Sequence, residues 1–259
     1  MYKITLNKNK SIGKAVFIVE GDKKEHTLLG YIFKEILEYS IIDVKRNSAP
    51  ISKYVSSSNP DSRVFVVSSG TSNITSAGKS GKDYLDQVFL KLFNEYSLDI
   101  TNAAVYYIFD RDNESNMFCE AEKLTQTLRN SRDNGIESNG LLLLSYPCIE
   151  AYIKSCVDEY THEVIDTPGS MKRVVSDARY QYNKINSESI IRACNNMLIG
   201  IKEICGRDIS HIDLDDFTEV GCRILNLEND WYLDKKQYML LSLLSVAFLD
   251  LGIIDFQYS

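Results

Sequence analysis

Short apolar runs that each stop at a charge, a serine or a glycine dominate the first half of this chain, and they leave little freedom in the choice of fold. They are Ala15–Val19 before Glu20 and Gly21, Val64–Val67 before Ser68, Ser69 and Gly70, Val105–Phe109 before Asp110, and Leu141–Leu144 before Ser145. A run of about four to six apolar residues bounded by turn signals reads as a strand buried on both faces, as in parallel sheets covered by helices. Between the runs, helical spacing takes over. Leu28, Leu29, Ile32, Phe33, Ile36 and Leu37 mark an amphipathic helix over His26–Tyr39, a second helical pattern covers Tyr84–Phe93, and a third covers Asn113–Asn130. Ile41–Val44 reads as a short strand, Asn47–Pro60 and Thr71–Lys82 as polar loops, and Asn134-Gly135 as a turn. The order is strand, helix, strand, helix, strand, which predicts an α/β fold with a parallel sheet.

From Ala151 onward helical patterns dominate, so the expected division is a sheet domain over residues 1–156 and a helical region over 157–259. The run from Met239 to Leu249 predicts a strongly apolar helix, and apolar residues nearly all round it predict core burial. No segment approaches the roughly 20 apolar residues of a membrane span, and the opening Met1-Tyr-Lys-Ile-Thr-Leu is no signal peptide, which predicts a cytoplasmic protein without a membrane partner. The six cysteines form no C-x-x-C pair, so buried free thiols are expected rather than disulfides or zinc. His26, His162 and His211 are far apart and lack metal-ligand spacing. Gly78-Lys79-Ser80 lacks the upstream glycine of a P-loop, position 73 being Asn, so the chain is not expected to hydrolyse ATP.

The acids that follow these runs carry the chemistry. Ligands of open α/β sheets bind just beyond the carboxyl ends of the strands. Glu20 follows the first run, with Glu25 nearby; Asp110 and Asp112 follow the third; Glu150 follows Ser145-Tyr-Pro-Cys-Ile. Each has a structural explanation taken singly: Glu20 as a turn residue, Asp-x-Asp as a surface loop, Glu150 as an acid in the first turn of a helix. Their joint placement after strands points elsewhere. Clustered carboxylates repel, and a hard divalent cation, Mg²⁺ or Mn²⁺, makes such a cluster tolerable. The net charge of −7 argues against a whole-surface nucleic-acid binder, while Lys172, Arg173, Arg179 and Lys184 form one local basic concentration.

The succession of strand, Glu20-Gly21, helix, strand ending at Ser69-Gly70, helix, strand and Asp110-x-Asp112 resembles the Toprim domain of topoisomerases, primases, small ribonucleases and OLD-type nucleases. Val19-Glu-Gly-Asp-Lys-Lys-Glu25, Phe109-Asp-Arg-Asp112 and Ser145-Tyr-Pro-Cys-Ile-Glu150 are similar to the compact RloB-like group of bacterial defence loci, over roughly residues 14 to 155. The resemblance implies a Toprim-like, Rossmann-like sheet with a mainly helical C-terminal extension. It implies a nuclease that hydrolyses phosphodiester bonds in DNA or RNA with Mg²⁺ or Mn²⁺, acting as a toxic effector in antiphage defence by abortive infection. Glu20, Asp110 and Asp112 would be catalytic, and Glu20, Glu25, Asp110, Asp112 and Glu150 would hold one or two metals. One departure is visible: OLD-type proteins place the second Glu four residues after the first, where this chain has Lys24. A catalytic lysine is expected as well, with Lys184 the first candidate and Lys172 the second. The resemblance also implies an ATPase partner from the same locus, and a homodimer would follow if a face of the apolar C-terminal helix were exposed. The alternative is a non-catalytic, Toprim-like binding or regulatory subunit of a defence complex, with the helical region as its interface.

Overall fold

The computed structural model describes residues 2–21, 23–45, 51–68, 90, 92–94, 98, 102–113, 140–206, 214 and 217–258. Gly70, Cys119, His211, the loop read over 71–82, most of the helix read over 84–93, the helix read over 113–130 beyond its first residue, and the turn at 134–135 lie outside them.

The chain is α/β, with a mixed central sheet flanked by helices. Among the described residues the strands are β1 (Tyr2–Leu6), β2 (Lys14–Val19), β3 (Tyr39–Lys45), β4 (Ile51–Ser56), β5 (Arg63–Ser68), β6 (Ala103–Asp110), β7 (Leu141–Tyr146), β8 (Val164–Ile165), β9 (Tyr238–Met239), β10 (Leu241–Ser242) and β11 (Ile254–Tyr258). Seven of them form the main sheet in the order β10-β7-β6-β2-β5-β4-β3. The strand β2 runs parallel to both β5 and β6, whereas β3 with β4, β4 with β5, and β7 with β10 are antiparallel. The expectation of a parallel sheet therefore holds at its centre and gives way to a mixed sheet outside it.

Two compact units divide the chain, one of residues 11–108 and 115–142, the other of 1–10, 109–114 and 143–259. This differs from the division at residue 156 read from the sequence. The reason is pairing: β1 lies antiparallel to β11 from Tyr2↔Tyr258 to Leu6↔Ile254, which ties the first residues to the last.

In the first unit, Ala15, Val16, Phe17, Ile18 and Val19 are fully buried, as a central strand requires. Helix α1 (Lys24–Tyr31) continues through a wide turn over Ile32–Ile36 and covers one face with Leu28, Leu29, Ile32 and Phe33. The Phe33 ring meets Phe17 edge-on at 5.4 Å and Tyr39 at 5.5 Å, so one aromatic joins helix to sheet. The helical stretch ends at Ile36, with Leu37 as its C-cap, rather than at Tyr39, because Glu38 takes a positive φ of 62° and Tyr39 opens β3. Residues 47–60, expected as loop, contain β4 instead. Ile51 and Tyr54 are buried, and the ladder to β5 outweighs the Ser, Asn and Pro composition that reads as loop. Gly30 allows the helix to approach this strand: a Cβ there would stand 2.7 Å from the Tyr54 hydroxyl.

The second unit carries helices α2 (Glu150–Val157), α3 (Pro168–Val174), α4 (Ser187–Cys205), α5 (Phe217–Lys235) and α6 (Leu244–Asp250). Local chemistry starts and stops them. Asn186 accepts from the Ser189 N–H at the start of α4, and Gly206 closes it with φ 66°. Thr167 caps α3 by accepting from the Ser170 N–H, and Pro168 follows in the first turn. Asn196 of α4 donates through Nδ2 to the Ser155 and Asp158 carbonyls, 2.9 and 2.8 Å away, satisfying the C-terminal end of α2. The apolar helix expected over 239–249 is shorter than the pattern. Its first part forms β9 and β10, where Ser242 Oγ lies 2.8 Å from Ser145 Oγ of β7, and only Leu244–Asp250 is helical. The expected burial holds, since Leu244 through Leu249 are all buried. No helix among the described residues is long and apolar enough to cross a membrane. Cys148, Cys156, Cys194, Cys205 and Cys222 are free thiols, all but the last buried.

Candidate metal centre and its surroundings

In the first unit, the parallel register pairs Val19 with Ile108, and the Glu20 N–H continues the ladder by donating to the Ile108 carbonyl at 3.2 Å. Glu20 therefore sits where β2 ends beside the last turn of the β6 ladder, 7% exposed. Glu25, in the first turn of α1, is equally buried and folds its carboxylate over Gly21. A Cβ on Gly21 would stand 2.7 Å from Glu25 Oε2 and 3.1 Å from Oε1. Lys24 is exposed. Of the neighbours Lys24 and Glu25, it is Glu25 that turns its side chain back toward the strand end.

In the second unit, Asp110 closes β6, and its Oδ1 accepts a hydrogen bond of 2.7 Å from the Ile149 N–H. That amide belongs to the turn between β7 and α2, so the bond ties Asp110 to the residue before Glu150. Glu150 is the first residue of α2 and is 1% exposed. Cys148 lies between the two acids electrostatically. Burial raises its thiol pKa, the charges of Glu150 and Asp110 raise it further, its S–H donates to Glu150, and Lys172 alone opposes them. The thiol stays protonated, which rules it out as a thiolate nucleophile at neutral pH.

Asp112 is half-buried and accepts from the Tyr238 hydroxyl at 3.4 Å. Between the two aspartates Arg111 is fully buried, its N–H donating to the Ser145 carbonyl at 2.8 Å and its Nη2 to Asn229 Oδ1 at 2.9 Å. Burial lowers its pKa, opposed by the neighbouring Tyr146, Tyr238 and Asp112. Sequence reading treated Arg111 as a spacer, and nothing local marks its partners at 145 and 229.

The structure thus brings Asp110 and Glu150 together around one turn and sets Asp112 next in the chain under Tyr238. It brings Glu20 and Glu25 together around Gly21. Lys184 ends an exposed single turn, Tyr182–Lys184, whereas the exposed Lys172 of α3 is the lysine whose charge reaches Cys148 between the acids.

Among the described residues, no group of three or more His, Cys, Asp or Glu side chains stands ready to hold a metal ion. Asp110 and Glu150, linked through the Ile149 N–H, would suit Mg²⁺ or Mn²⁺ by chemistry: both offer hard oxygens, and Mg²⁺ keeps several waters while one or two carboxylates hold it. No family model, curated protein or solved structure matches this chain.

Proposed function

We propose that this chain is a Mg²⁺- or Mn²⁺-dependent nuclease with a Toprim-like sheet, hydrolysing phosphodiester bonds in DNA or RNA as an effector of antiphage defence. The observation that supports it most is the Asp110–Ile149 hydrogen bond, which gathers a strand-end aspartate and a buried glutamate around one turn. Carboxylates gathered in one place repel, so a cation would be the natural third party.

In this reading Asp110, Asp112 and Glu150 would hold the cation, and Glu20 and Glu25 would take the metal-binding roles that the Toprim resemblance implies. A bound metal would supply Lewis-acid stabilisation of the phosphate and would lower the pKa of an attacking water. That water would pass its proton to a base as its oxygen bonds to phosphorus and the bond to the leaving oxygen breaks, the role that the resemblance implies for Glu20. Of the two candidate lysines, Lys172, whose charge reaches Cys148, would offset negative charge on the phosphate, ahead of Lys184.

The test is incubation of the purified chain with plasmid, single-stranded DNA and total RNA, in Mg²⁺, Mn²⁺ or EDTA. Metal-dependent cleavage that disappears in Asp110→Asn supports the nuclease and identifies its substrate. A wild type that binds Mn²⁺ yet cleaves none of the three would overturn it.

A further inference from the structure

Tyr238 is a β9 residue that lies 126 positions from Asp112 in sequence, and its hydroxyl touches both Asp112 and the residue after it, Asn113. It accepts from the Asn113 N–H at 2.8 Å and donates to Asp112 Oδ1 at 3.4 Å. A phenol has one proton to give and lone pairs to receive, so the two bonds form together and give the hydroxyl one orientation. The ring is fully buried and packs on Tyr232 with centroids 4.9 Å apart, so the hydroxyl is set on a rigid base. Arg111, held by Asn229 of α5, fixes the residue on the other side of Asp112. The segment that carries the acids is therefore fastened on both sides by the C-terminal part of the chain.

We propose that Tyr238 is a positioning residue for the metal centre: its hydroxyl holds the Asp112 carboxylate in the orientation that binds a divalent cation. The proposal rests on the metal-dependent reading above and assigns part of the C-terminal region a role in it. A carboxylate has about four lone-pair sites, so an Oδ1 that accepts from Tyr238 retains the capacity to bind a cation. Outer partners of this kind typically change metal affinity by about 10- to 100-fold when removed.

The experiment is Mn²⁺ titration by calorimetry on wild type, Tyr238→Phe, Asp112→Asn and the double variant, with melting curves alongside. Tyr238→Phe keeps the ring that packs on Tyr232. The expected result is about 10-fold weaker Mn²⁺ binding in Tyr238→Phe, and no further weakening when it is added to Asp112→Asn. Equal binding by wild type and Tyr238→Phe overturns the proposal. So does the same weakening in both backgrounds, which marks a general structural effect. A wild type that binds no Mn²⁺ sinks the metal reading and this proposal together, a different result from either. Amide hydrogen exchange at Asn113 gives a check that needs no metal: it rises in Tyr238→Phe if the hydroxyl holds this turn, and unchanged exchange overturns the proposal.

Discussion

Asp110 Oδ1 accepts the Ile149 N–H at 2.7 Å, so the carboxylate that ends β6 also closes the turn leading into Glu150. A charged acceptor on a backbone N–H contributes roughly 1.5–3 kcal/mol when part-buried. The same atom pair serves the fold and the candidate site, and substitutions separate the two. Asp110→Ala leaves the Ile149 N–H without its acceptor and lowers stability by about 1–3 kcal/mol. Asp110→Asn retains an oxygen acceptor and loses the charge. Urea unfolding is expected to show a clear loss for Ala and a smaller one for Asn, while both abolish metal-dependent cleavage. Residual cleavage in Asn comparable to wild type removes Asp110 from the metal site.

Gly21 and Glu25 form a second such pair. A Cβ at 21 meets both Glu25 carboxylate oxygens at 2.7 and 3.1 Å, and these are the far end of a flexible side chain. Gly21→Ala therefore displaces the carboxylate at little cost to the fold, within about 1 kcal/mol. If Glu25 serves the metal, Gly21→Ala and Glu25→Gln lose cleavage to a similar degree, about 10-fold or more, with melting temperatures near wild type. Full activity in Gly21→Ala with loss in Glu25→Gln shows that the observed placement is not the working one.

What was legible in the sequence is what local pattern records. Ala15–Val19 and Val105–Phe109 are strands because a continuous apolar run has no exposed face, and the acids after them follow as strand ends. The run from 238 to 249 is apolar all round, and periodicity alone does not separate helix from buried strand there; pairing of Leu241 and Ser242 with β7 decides it. Ile51–Ser56 is a strand through its neighbours on both sides, which no local composition records. The partners of the candidate site were hidden for the same reason. Arg111 with Asn229 and Asp112 with Tyr238 are joined across more than 100 residues, and without covariation a single sequence carries no trace of such pairs.

Gly140, just before β7, tests the packing of the first unit. A Cβ there would overlap Tyr107 Cε2, stand 2.8 Å from Tyr107 Cδ2 and 2.9 Å from Val105 Cγ1. Tyr107 is fully buried and Val105 nearly so, so neither side chain has room to withdraw. Gly140→Ala is expected to cost about 1–3 kcal/mol through overpacking, seen as a lower urea midpoint at unchanged slope. A midpoint equal to wild type shows that Tyr107 can move.

Glu228 gives the chain a pH dependence of definite sign. It lies fully buried on α5, its Oε2 accepts from the Met239 N–H at 3.3 Å, and burial pushes its pKa up to about 8, slightly opposed by that hydrogen bond. The folded value exceeds the unfolded one, so the folded state binds more protons between the two. Stability attributable to this group is complete below the ordinary carboxyl range near 4.5 and falls as pH rises toward about 8. The loss is on the order of a few kcal/mol, given about 1.4 kcal/mol for each unit of difference between the states. Glu228→Gln keeps an oxygen acceptor for Met239 and has no proton to lose. Urea midpoints at pH 5 and pH 8 are expected to diverge for the wild type and to change much less for the variant, so that the variant is the more stable protein at pH 8. Equal pH dependence in the two would place the titration elsewhere.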